Sequence, residues 1–270
     1  AMHGRLYDSS RPVRQLHLGG GTPTYLSDEQ MGRLMAGLGE HFPLLTEGDR
    51  EYSIEIDPRT TGSETIPLLA ELGFNRLSMG IQDFDPRVQR AVNRIQAPDH
   101  TLGLLSQARD AGFLSVSVDL IYGLPFQNMQ RFRETLEMVI AARPDRIATY
   151  NYAHLPRMVK AQRLIREEDL PSPAEKLELL TGTVEFLTRS GYEYIGMDHF
   201  ALPEDELVKA RDAGTLHRNF QGYSTHSDCD LVALGVSSIG KLDTCYSQNL
   251  KQRKDYYEAL DAGQLPIFRG

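Results

Sequence analysis

Gly19-Gly20-Gly21-Thr22-Pro23-Thr24 follows directly on a strand-like run at residues 14–18. Glycine has no Cβ, so three glycines in succession allow the backbone N–H groups of this turn to approach a ligand closely. Pro23 restricts φ where the chain leaves the turn. The same residues are also compatible with a plain tight turn, so the elements around them determine which interpretation holds.

Strand-like runs alternate with amphipathic segments along the rest of the chain. We predict strands at residues 14–19, 52–57, 76–82, 115–122, 146–152 and 193–199. Apolar residues between the strands recur at helical spacing. These stripes are formed by Met31, Leu34, Met35 and Leu38, by Phe132, Leu136, Val139 and Ile140, and by Leu177, Leu180, Val184 and Leu187. Gly73, Gly112 and Gly191 are placed to end helices. Such alternation predicts parallel βαβ units and an α/β fold.

Three of the predicted strands are apolar on one face and polar on the other. The polar faces carry Ser53, Glu55 and Asp57, then Ser78, Gly80 and Gln82, and then Ser117 and Asp119 with Ile121. Parallel strands in α/β proteins are usually apolar on both faces. A polar inner face therefore favours an open barrel that holds a sizeable polar ligand near the carboxyl ends of its strands. The alternative is a sheet face that is simply solvated.

Charge and composition exclude several classes of protein. The 270 residues include 29 basic and 37 acidic ones, for a net charge of −8, and no run of Lys and Arg suggests a nucleic-acid surface. No apolar stretch approaches the length of about 18 residues that a membrane span needs. Two cysteines are too few for a disulfide framework. We expect a cytoplasmic protein with no nucleic-acid or membrane partner.

The motifs taken together resemble those of radical S-adenosylmethionine (SAM) enzymes and, more closely, the oxygen-independent coproporphyrinogen III oxidases of haem biosynthesis. The resemblance is carried by residues 19–26, 53–58, 73–84, 92–94, 119–125, 151–156, 196–200 and 216–223. It implies a partial open (β/α)6 barrel of the radical SAM type, with residues 1–200 as the barrel core and residues 201–270 as a capping extension. It also implies that the first barrel strand and a C-terminal helical domain are missing from this chain.

The resemblance assigns most of the polar residues to SAM. Gly20, Gly21 and Thr22 would bind the amino and carboxylate groups of its methionine end. Glu55 would bind the amino group or the ribose, Gln82 and Arg94 would hold ribose and carboxylate oxygens, Asp119 would meet a ribose hydroxyl, and Ala153 would contact the adenine through its backbone. The glycines are also compatible with a turn alone.

A second SAM is implied close to the first. Its neighbourhood would include Ile121, Phe220, Gln221 and Ile239, although for the two isoleucines a place in the core is favoured over contact with the cofactor. Arg218 would contact a propionate of the substrate, because a guanidinium pairs well with a carboxylate. His154 and His199 are either structural residues or substrate and acid/base groups, and the structural interpretation is favoured.

The cysteine pattern of the family is not found in this sequence. Such enzymes hold a [4Fe-4S] cluster with three closely spaced cysteines, whereas Cys229 and Cys245 are sixteen residues apart. We therefore expect no metal ligands in this chain, and we expect the chain to be a catalytically inactive fragment. Loss of a first strand would leave residues 14–19 as an unpaired edge that favours self-association.

The activity implied for the parent protein is oxidative decarboxylation of two propionates of coproporphyrinogen III, which gives protoporphyrinogen IX through a 5′-deoxyadenosyl radical. It would need SAM, the [4Fe-4S] cluster and an electron donor, and the full-length protein would be a monomer. Two alternatives stay open. One is a haem-binding or haem-transfer protein of the same superfamily, and the other is a barrel enzyme whose glycine turn holds a phosphate.

Overall fold

The glycine-rich turn follows the first of five parallel strands in a computed structural model that describes residues 2–5, 10–219, 222–226 and 228–270. The strands are β1 (Gln15–Leu18), β2 (Glu51–Ile56), β3 (Arg76–Gln82), β4 (Ser115–Tyr122) and β5 (Arg146–Asn151). Each pairs with the next in chain order. All five lie within one residue of the predicted bounds, so the parallel α/β architecture is confirmed.

Two further strands complete the same sheet. They are β6 (Glu193–Gly196) and β7 (His199–Ala201), in the order β1-β2-β3-β4-β5-β7-β6. The prediction of one continuous strand at residues 193–199 was wrong. Gly196 and Met197 have positive φ values of 144° and 51°, which turn the chain so that β7 runs antiparallel to both β5 and β6. Among the described residues the sheet begins at β1 and ends at β6 without closing, as an open barrel requires.

The chain forms two compact units, which we call the sheet unit (residues 14–36 and 45–209) and the hairpin unit (residues 1–13, 37–44 and 210–270). The α-helices of the described residues are α1 (Asp28–His41), α2 (Thr65–Glu71), α3 (Pro86–Ala91), α4 (Pro98–Asp110), α5 (Met129–Ala141), α6 (Pro173–Arg189), α7 (Glu206–Asp212) and α8 (Arg253–Asp261). None of the helices in the described ranges is long and apolar enough to cross a membrane.

Local sequence signals account for most helix ends in the sheet unit. Ser172 and Glu175 form a reciprocal capping box at the start of α6, which satisfies two N–H groups that the helix itself leaves unpaired. Gly73, Gly112 and Gly191 follow α2, α4 and α6 with φ of 96°, 86° and 91°. Glycine adopts this left-handed conformation without the penalty that a Cβ imposes, so these helix ends are confirmed.

The predicted apolar face of α6 was only partly right, since of its four residues Leu187 alone is among those that the helix buries. The helix buries Leu179, Thr183 and Leu187, whereas Leu177 is exposed. A threonine occupies the central buried position because its hydroxyl donates to the Leu179 carbonyl oxygen at 2.6 Å. The sequence pattern counts only apolar residues at helical spacing, so it does not include a threonine whose hydroxyl is bonded within its own helix. The predicted stripe was therefore placed on neighbouring leucines.

The sheet separates an apolar face from a polar one, as its alternation predicts. In β2 and β3 every second residue is buried, and in β4 the buried series is Val116, Val118 and Leu120. The residues between them, including Glu55 and Asp119, are only partly covered, whereas Ser115 and Tyr122 at the two ends of β4 are buried as well. The apolar face forms the core with the helices, so the polar face is free to carry a site.

The hairpin unit contains two small antiparallel sheets. One consists of β8 (His217–Asn219) and β9 (Gly222–Ser224), and the other of β10 (Ile239–Leu242), β11 (Cys245–Asn249) and β12 (Ile267–Arg269). Asn249 is buried in the larger sheet, where its amide donates to the carbonyl oxygens of Ala233 and Gly235. This buried side chain ties the preceding loop to β11.

A buried carboxylate, Asp83, organises the chain just after β3. It accepts hydrogen bonds from Thr135 Oγ1 at 2.6 Å and from Gln127 Nε2 at 2.5 Å. Thr135 Oγ1 in turn accepts from the backbone N–H of Phe84 at 3.1 Å. Burial raises the pKa of Asp83, because the hydrogen bonds that it accepts only partly offset the loss of water. The network joins the end of β3 to α5.

Thr135→Val should lower the free energy of unfolding by about 1–3 kcal/mol, because it leaves a buried carboxylate oxygen and the Phe84 N–H without their partner. Urea unfolding monitored by circular dichroism measures this. Thr188→Val is the matched control, because Thr188 is exposed on α6 and bonds only a carbonyl of its own helix; its effect should stay within about 0.5 kcal/mol. Equal losses for the two variants would contradict this role of the Asp83 network.

Candidate functional site

The local structure favours glycine at the first two positions of the turn. A Cβ on Gly19 would lie only 2.7 Å from Glu55 Oε1, and Gly20 has a φ of 81°. The Gly20 N–H donates to Glu55 Oε2 at 3.2 Å. The turn is therefore held against the carboxyl end of β2, with one N–H already directed at a carboxylate.

Gly21 is different, because nothing in the described chain requires a glycine there. Its φ lies outside the left-handed range, and no atom of the described chain lies within 4 Å of the position that a Cβ would take. A side chain at residue 21 would therefore point into open space. This is the arrangement expected of a position kept bare for the approach of a ligand.

Glu55 lies next to His17 on the neighbouring strand. His17 Nε2 lies 3.4 Å from Glu55 Oε1, and His17 Nδ1 lies 2.8 Å from Ser53 Oγ. The pKa of Glu55 is lowered, chiefly by its hydrogen bond to His17 and with help from the Gly20 N–H, and these effects outweigh burial. The carboxylate is therefore fully charged at neutral pH.

Asp119 provides a second carboxylate two strands away from Glu55. Ser78 Oγ of the intervening strand donates to Asp119 Oδ2 at 3.3 Å. Burial first, and then the negative charge of Glu55, raises the pKa of Asp119 to about 6. The two carboxylates repel each other, and a cation bound between them would relieve that repulsion.

Arg94 reaches the polar face from the loop after α3. Its guanidinium donates to the Gly80 carbonyl oxygen at 2.8 Å and to both oxygens of Asp57 at 3.3 Å. Burial by itself would raise the pKa of Asp57, but hydrogen bonds from Arg59 and the charge of Arg94 hold it below its ordinary value. Arg94 Nε is buried and has no hydrogen-bond partner in the described chain, so the site can still donate to one more acceptor.

Gln82 ends β3 in a strained conformation. Its φ is 67°, and the register with β4 shifts between Gly80 and Gln82. A left-handed conformation costs a non-glycine residue about 1–3 kcal/mol and is concentrated at functional sites. Gln82 Oε1 is buried without a donor in the described chain. One buried acceptor and one buried donor, Arg94 Nε, thus remain to be satisfied on the polar face.

The structure brings five of the predicted SAM residues together at the carboxyl ends of β1 to β4. They are Gly20, Glu55, Gln82, Arg94 and Asp119, linked by the contacts and charge effects given above. Gly21 and Thr22 lie in the same turn and are exposed. Ala153 follows β5, is exposed, and accepts a hydrogen bond on its carbonyl oxygen from Gln162 Nε2 at 3.0 Å.

Ile121 and the two histidines lie at the far side of the same sheet. Ile121 is partly exposed on the polar face of β4. His154 Nδ1 lies 3.3 Å from Tyr152 Oη. His199 on β7 packs edge-on against Tyr150, with ring centroids 6.1 Å apart. Functional roles for these three residues stay predictions.

The remaining predicted residues belong to the hairpin unit. Arg218 lies on β8 with its guanidinium 5.7 Å from the ring centroid of Tyr223, and Ile239 begins β10. Arg218 lines a cavity of about 480 Å³ together with His217, Asn219, His226, Cys229, Leu231, Lys241 and Tyr246. Phe220 and Gln221 lie outside the described residues.

Sequence reasoning missed residues that support the site. His17, Ser78 and Arg59 were assigned no role, yet each bonds or pairs with a carboxylate of the polar face. The period-two alternation was a usable signal for His17, since it lies on β1 opposite Leu16 and Leu18. No sequence pattern of that kind predicts the bend that brings Arg59 back onto Asp57.

SAM fits the groups that the polar face presents. It carries a sulfonium, an ammonium and a carboxylate, and the face offers Glu55, Asp119, the unsatisfied acceptor of Gln82 and the unsatisfied donor of Arg94. A [4Fe-4S] cluster does not fit the residues of this chain. Its ligands are cysteine thiolates, and the two cysteines present are Cys229, half-buried, and Cys245, exposed, both in the hairpin unit.

Comparison with known proteins places the chain in a family. Residues 5–139, half of the sequence, match the Radical SAM superfamily, and the chain belongs to it. The sequence is 54% identical over 258 residues to the oxygen-independent coproporphyrinogen III oxidase of Pseudomonas aeruginosa and 48% identical over 270 residues to that of Synechocystis. The solved structure of the coproporphyrinogen III oxidase of Escherichia coli, described as a radical SAM enzyme, superposes on 97% of the chain with a TM-score of 0.94 and 51% identity.

The chain spans little more than half the length of the relatives that it matches. It covers 56% of the Pseudomonas protein, 58% of the Synechocystis protein and 60% of the Escherichia coli chain. In the other direction, the matched regions take up 96% or more of the present sequence. The resemblance seen in the motifs is therefore confirmed along nearly the whole chain.

Asp119→Asn should stabilise the chain by about 2 kcal/mol at pH 7.5 and by almost nothing at pH 4. The pKa of Asp119 is about 6 in the folded chain and near 4 in the unfolded chain. Between about pH 4 and pH 6 the folded chain therefore binds more protons at Asp119 than the unfolded chain does. The parent chain loses stability as the pH rises through this range. Denaturant unfolding at both pH values measures the difference.

Asparagine can still accept the hydrogen bond from Ser78, so the substitution removes the charge and little else. Glu137→Gln, on the exposed side of α5, is the control and should show no comparable gain that depends on pH. An equal effect of Asp119→Asn at the two pH values would show that burial and the charge of Glu55 do not raise the pKa of Asp119 in the folded chain.

Proposed function

We propose that the polar strand ends of this chain bind SAM, in a protein that catalyses the oxygen-independent oxidation of coproporphyrinogen III. The observation that carries the SAM site is the set of four groups on one face: two carboxylates that repel each other, together with one buried acceptor and one buried donor that have no partner among the described residues. The substrate follows from the names of relatives that share about half of the residues of this sequence.

Each part of SAM has a partner of matching chemistry in this proposal. The ammonium group lies towards Glu55, which is held charged by His17, and the bare backbone at Gly21 allows close approach. The SAM carboxylate or a ribose oxygen accepts from Arg94, and a ribose hydroxyl binds Asp119. Gln82 Oε1 gains a donor from the ligand. A second SAM near Ile121 belongs to the same proposal.

The reaction proposed for the whole protein turns two propionate groups into vinyl groups. Each propionate loses CO2, a hydrogen atom that would pass to the 5′-deoxyadenosyl radical, and one electron that would pass to an acceptor outside this chain. The [4Fe-4S] cluster that the family uses would supply the electron for the cleavage of SAM and would itself need an external electron donor, and no residue of this chain is assigned to hold it. The part that we assign to the residues of this chain is to bind and orient SAM and to hold the charges around it.

The site argues against the two other functions that the sequence left open. A phosphate held by the glycine turn would meet the charge of Glu55, which already accepts the Gly20 N–H, and a second carboxylate on Asp119. A haem-transfer protein would need a haem site, and the relatives compared above carry the name of an oxidase. Haem titration of the chain separates the transfer function from the proposed one.

Isothermal titration of the chain with SAM tests the site. Glu55→Gln should weaken binding about 10- to 100-fold, because it removes a charge-assisted hydrogen bond. Glu137→Gln makes the same chemical change on exposed α5 and should leave the dissociation constant within about twofold. Equal binding by the two variants, or saturable binding of inorganic phosphate in place of SAM, would overturn the assignment.

Gly21→Ala tests the turn independently. The fold has room for the methyl group, so the thermal midpoint should stay within about 2 °C of the parent chain. SAM binding should nevertheless fall at least tenfold, because the methyl group would occupy space that the ligand needs. A variant that binds SAM normally would show that Gly21 is only a turn residue.

The activity is tested on the full-length protein with its cluster reconstituted under anaerobic conditions. Mass spectrometry should show stepwise loss of two carboxyl groups from coproporphyrinogen III, together with 5′-deoxyadenosine. An unchanged substrate in the presence of an intact cluster and bound SAM would reject the oxidase activity while leaving the SAM site in place.

A further inference from the structure

A short segment after β5 exposes an unusual amount of apolar side chain. In residues 155–164, which we call the apolar–basic segment, Met158 is 80% exposed and Leu164 is 87% exposed. Leu155 and Val159 are exposed as well. Single exposed apolar residues are normal, but four within ten residues form a patch of the kind that marks a binding surface.

The same segment is strongly basic. It contains Arg157, Lys160 and Arg163 and no acidic residue, in a chain whose net charge is −8. Arg163 Nε donates to the Pro156 carbonyl oxygen at 3.1 Å. Arg157 and Lys160 are exposed and have no side-chain hydrogen bond or ion pair with any described residue. Two cations therefore remain available to an anionic ligand.

The segment is held in a defined conformation at the strand ends. Gln162 donates from Nε2 to the Ala153 carbonyl oxygen and accepts from the Leu155 N–H. The Tyr152 N–H donates to the carbonyl oxygen of Tyr122, the last residue of β4, at 2.8 Å. These bonds anchor the segment at the carboxyl edge of the strand that carries Asp119.

We propose that the apolar–basic segment binds the tetrapyrrole substrate, with Arg157 and Lys160 pairing with its carboxylates and Met158 and Leu164 packing on its ring system. This inference rests on the proposed function. A porphyrinogen polycarboxylate combines a broad apolar surface with several negative charges, and the segment offers the complement of both. Unbranched, flexible Met158 suits a ligand whose surface is not flat.

Fluorescence titration of the full 270-residue chain with coproporphyrin III, the stable oxidised form of the substrate, tests the proposal. R157Q/K160Q should raise the dissociation constant about 5- to 25-fold, since each exposed ion pair contributes a factor of about 2 to 5. R33Q/K209Q removes one Arg and one Lys charge from exposed positions on α1 and α7 and should change it less than twofold.

A second variant tests the apolar contacts. M158S/L164S should weaken coproporphyrin binding by about tenfold or more, because it removes apolar surface that the ring would bury. It should leave the thermal midpoint unchanged, since both side chains are exposed in the free chain. A tetracationic porphyrin of similar size should bind R157Q/K160Q at least as well as the parent chain.

The outcomes separate this inference from the SAM site. If both double variants lose porphyrin binding and keep normal SAM binding, the result supports the apolar–basic segment as the tetrapyrrole site. Failure of the chain to bind SAM would reject the SAM site alone. Equal porphyrin affinity in the parent chain and R157Q/K160Q would overturn the inference. A second outcome would also overturn the inference. If the chain bound phosphatidylglycerol–phosphatidylcholine vesicles through this segment and did not bind porphyrin, the segment would be a membrane-binding surface.

Discussion

The charge on Glu55 determines the electrostatics of the whole polar face. Its carboxylate accepts the Gly20 N–H, pairs with His17 and raises the pKa of Asp119 from two strands away. Replacing it by alanine would remove the acceptor of the Gly20 N–H and lower the Asp119 pKa together. The turn, the carboxylate and the second carboxylate therefore form one unit, and a cationic ligand is the species that this unit stabilises most.

The cost of this arrangement in the free chain is visible at Gln82 and Arg94. Gln82 is held in a left-handed conformation with a buried acceptor that has no donor in the described chain, and Arg94 buries a donor that has no acceptor there. Each such group costs about 1–3 kcal/mol. A fold keeps unsatisfied groups of this kind when a ligand completes them, because a site that is already arranged loses less free energy on binding. Gln82 and Arg94 thus add strain and two unsatisfied groups at the edge of the sheet that carries the carboxylates, although other atoms of the described chain, such as Arg50 Nε and Arg76 Nε, are also buried without a partner.

The sequence was sufficient for the features that depend on local periodicity. Alternation in residues 52–57, 76–82 and 115–122 separated the apolar face from the polar one, because the side-chain period of a strand is fixed at two. Gly73, Gly112 and Gly191 marked helix ends because few other residues adopt the left-handed conformation at low cost. The five parallel strands and the set of polar residues at their ends follow from these two signals.

Features that depend on tertiary contacts could not be predicted in this way. The hairpin at Gly196 and Met197 interrupts a run that reads as one strand, because pairing with β5 outweighs local propensity. Thr183 is buried on α6 through a bond to its own helix, and Arg59 folds back onto Asp57. The raised pKa of Asp119 needs the distance to Glu55 across β3, which no spacing along the chain records.

The two ligands of the proposed reaction need protein groups of opposite charge. The carboxylates on β2 and β4 favour a cation, whereas a polycarboxylate approaching a chain of net charge −8 is repelled unless a local cluster of cations receives it. Residues 155–164 provide such a cluster on the connection after β5, with its acidic neighbours beginning only at Glu167. Arg166, between them, is paired with Glu168 and Asp169, which leaves Arg157 and Lys160 unpaired with those acids. In this proposal the cation-binding and anion-binding groups lie on separate elements of one sheet edge, so SAM and the tetrapyrrole would not compete for the same groups.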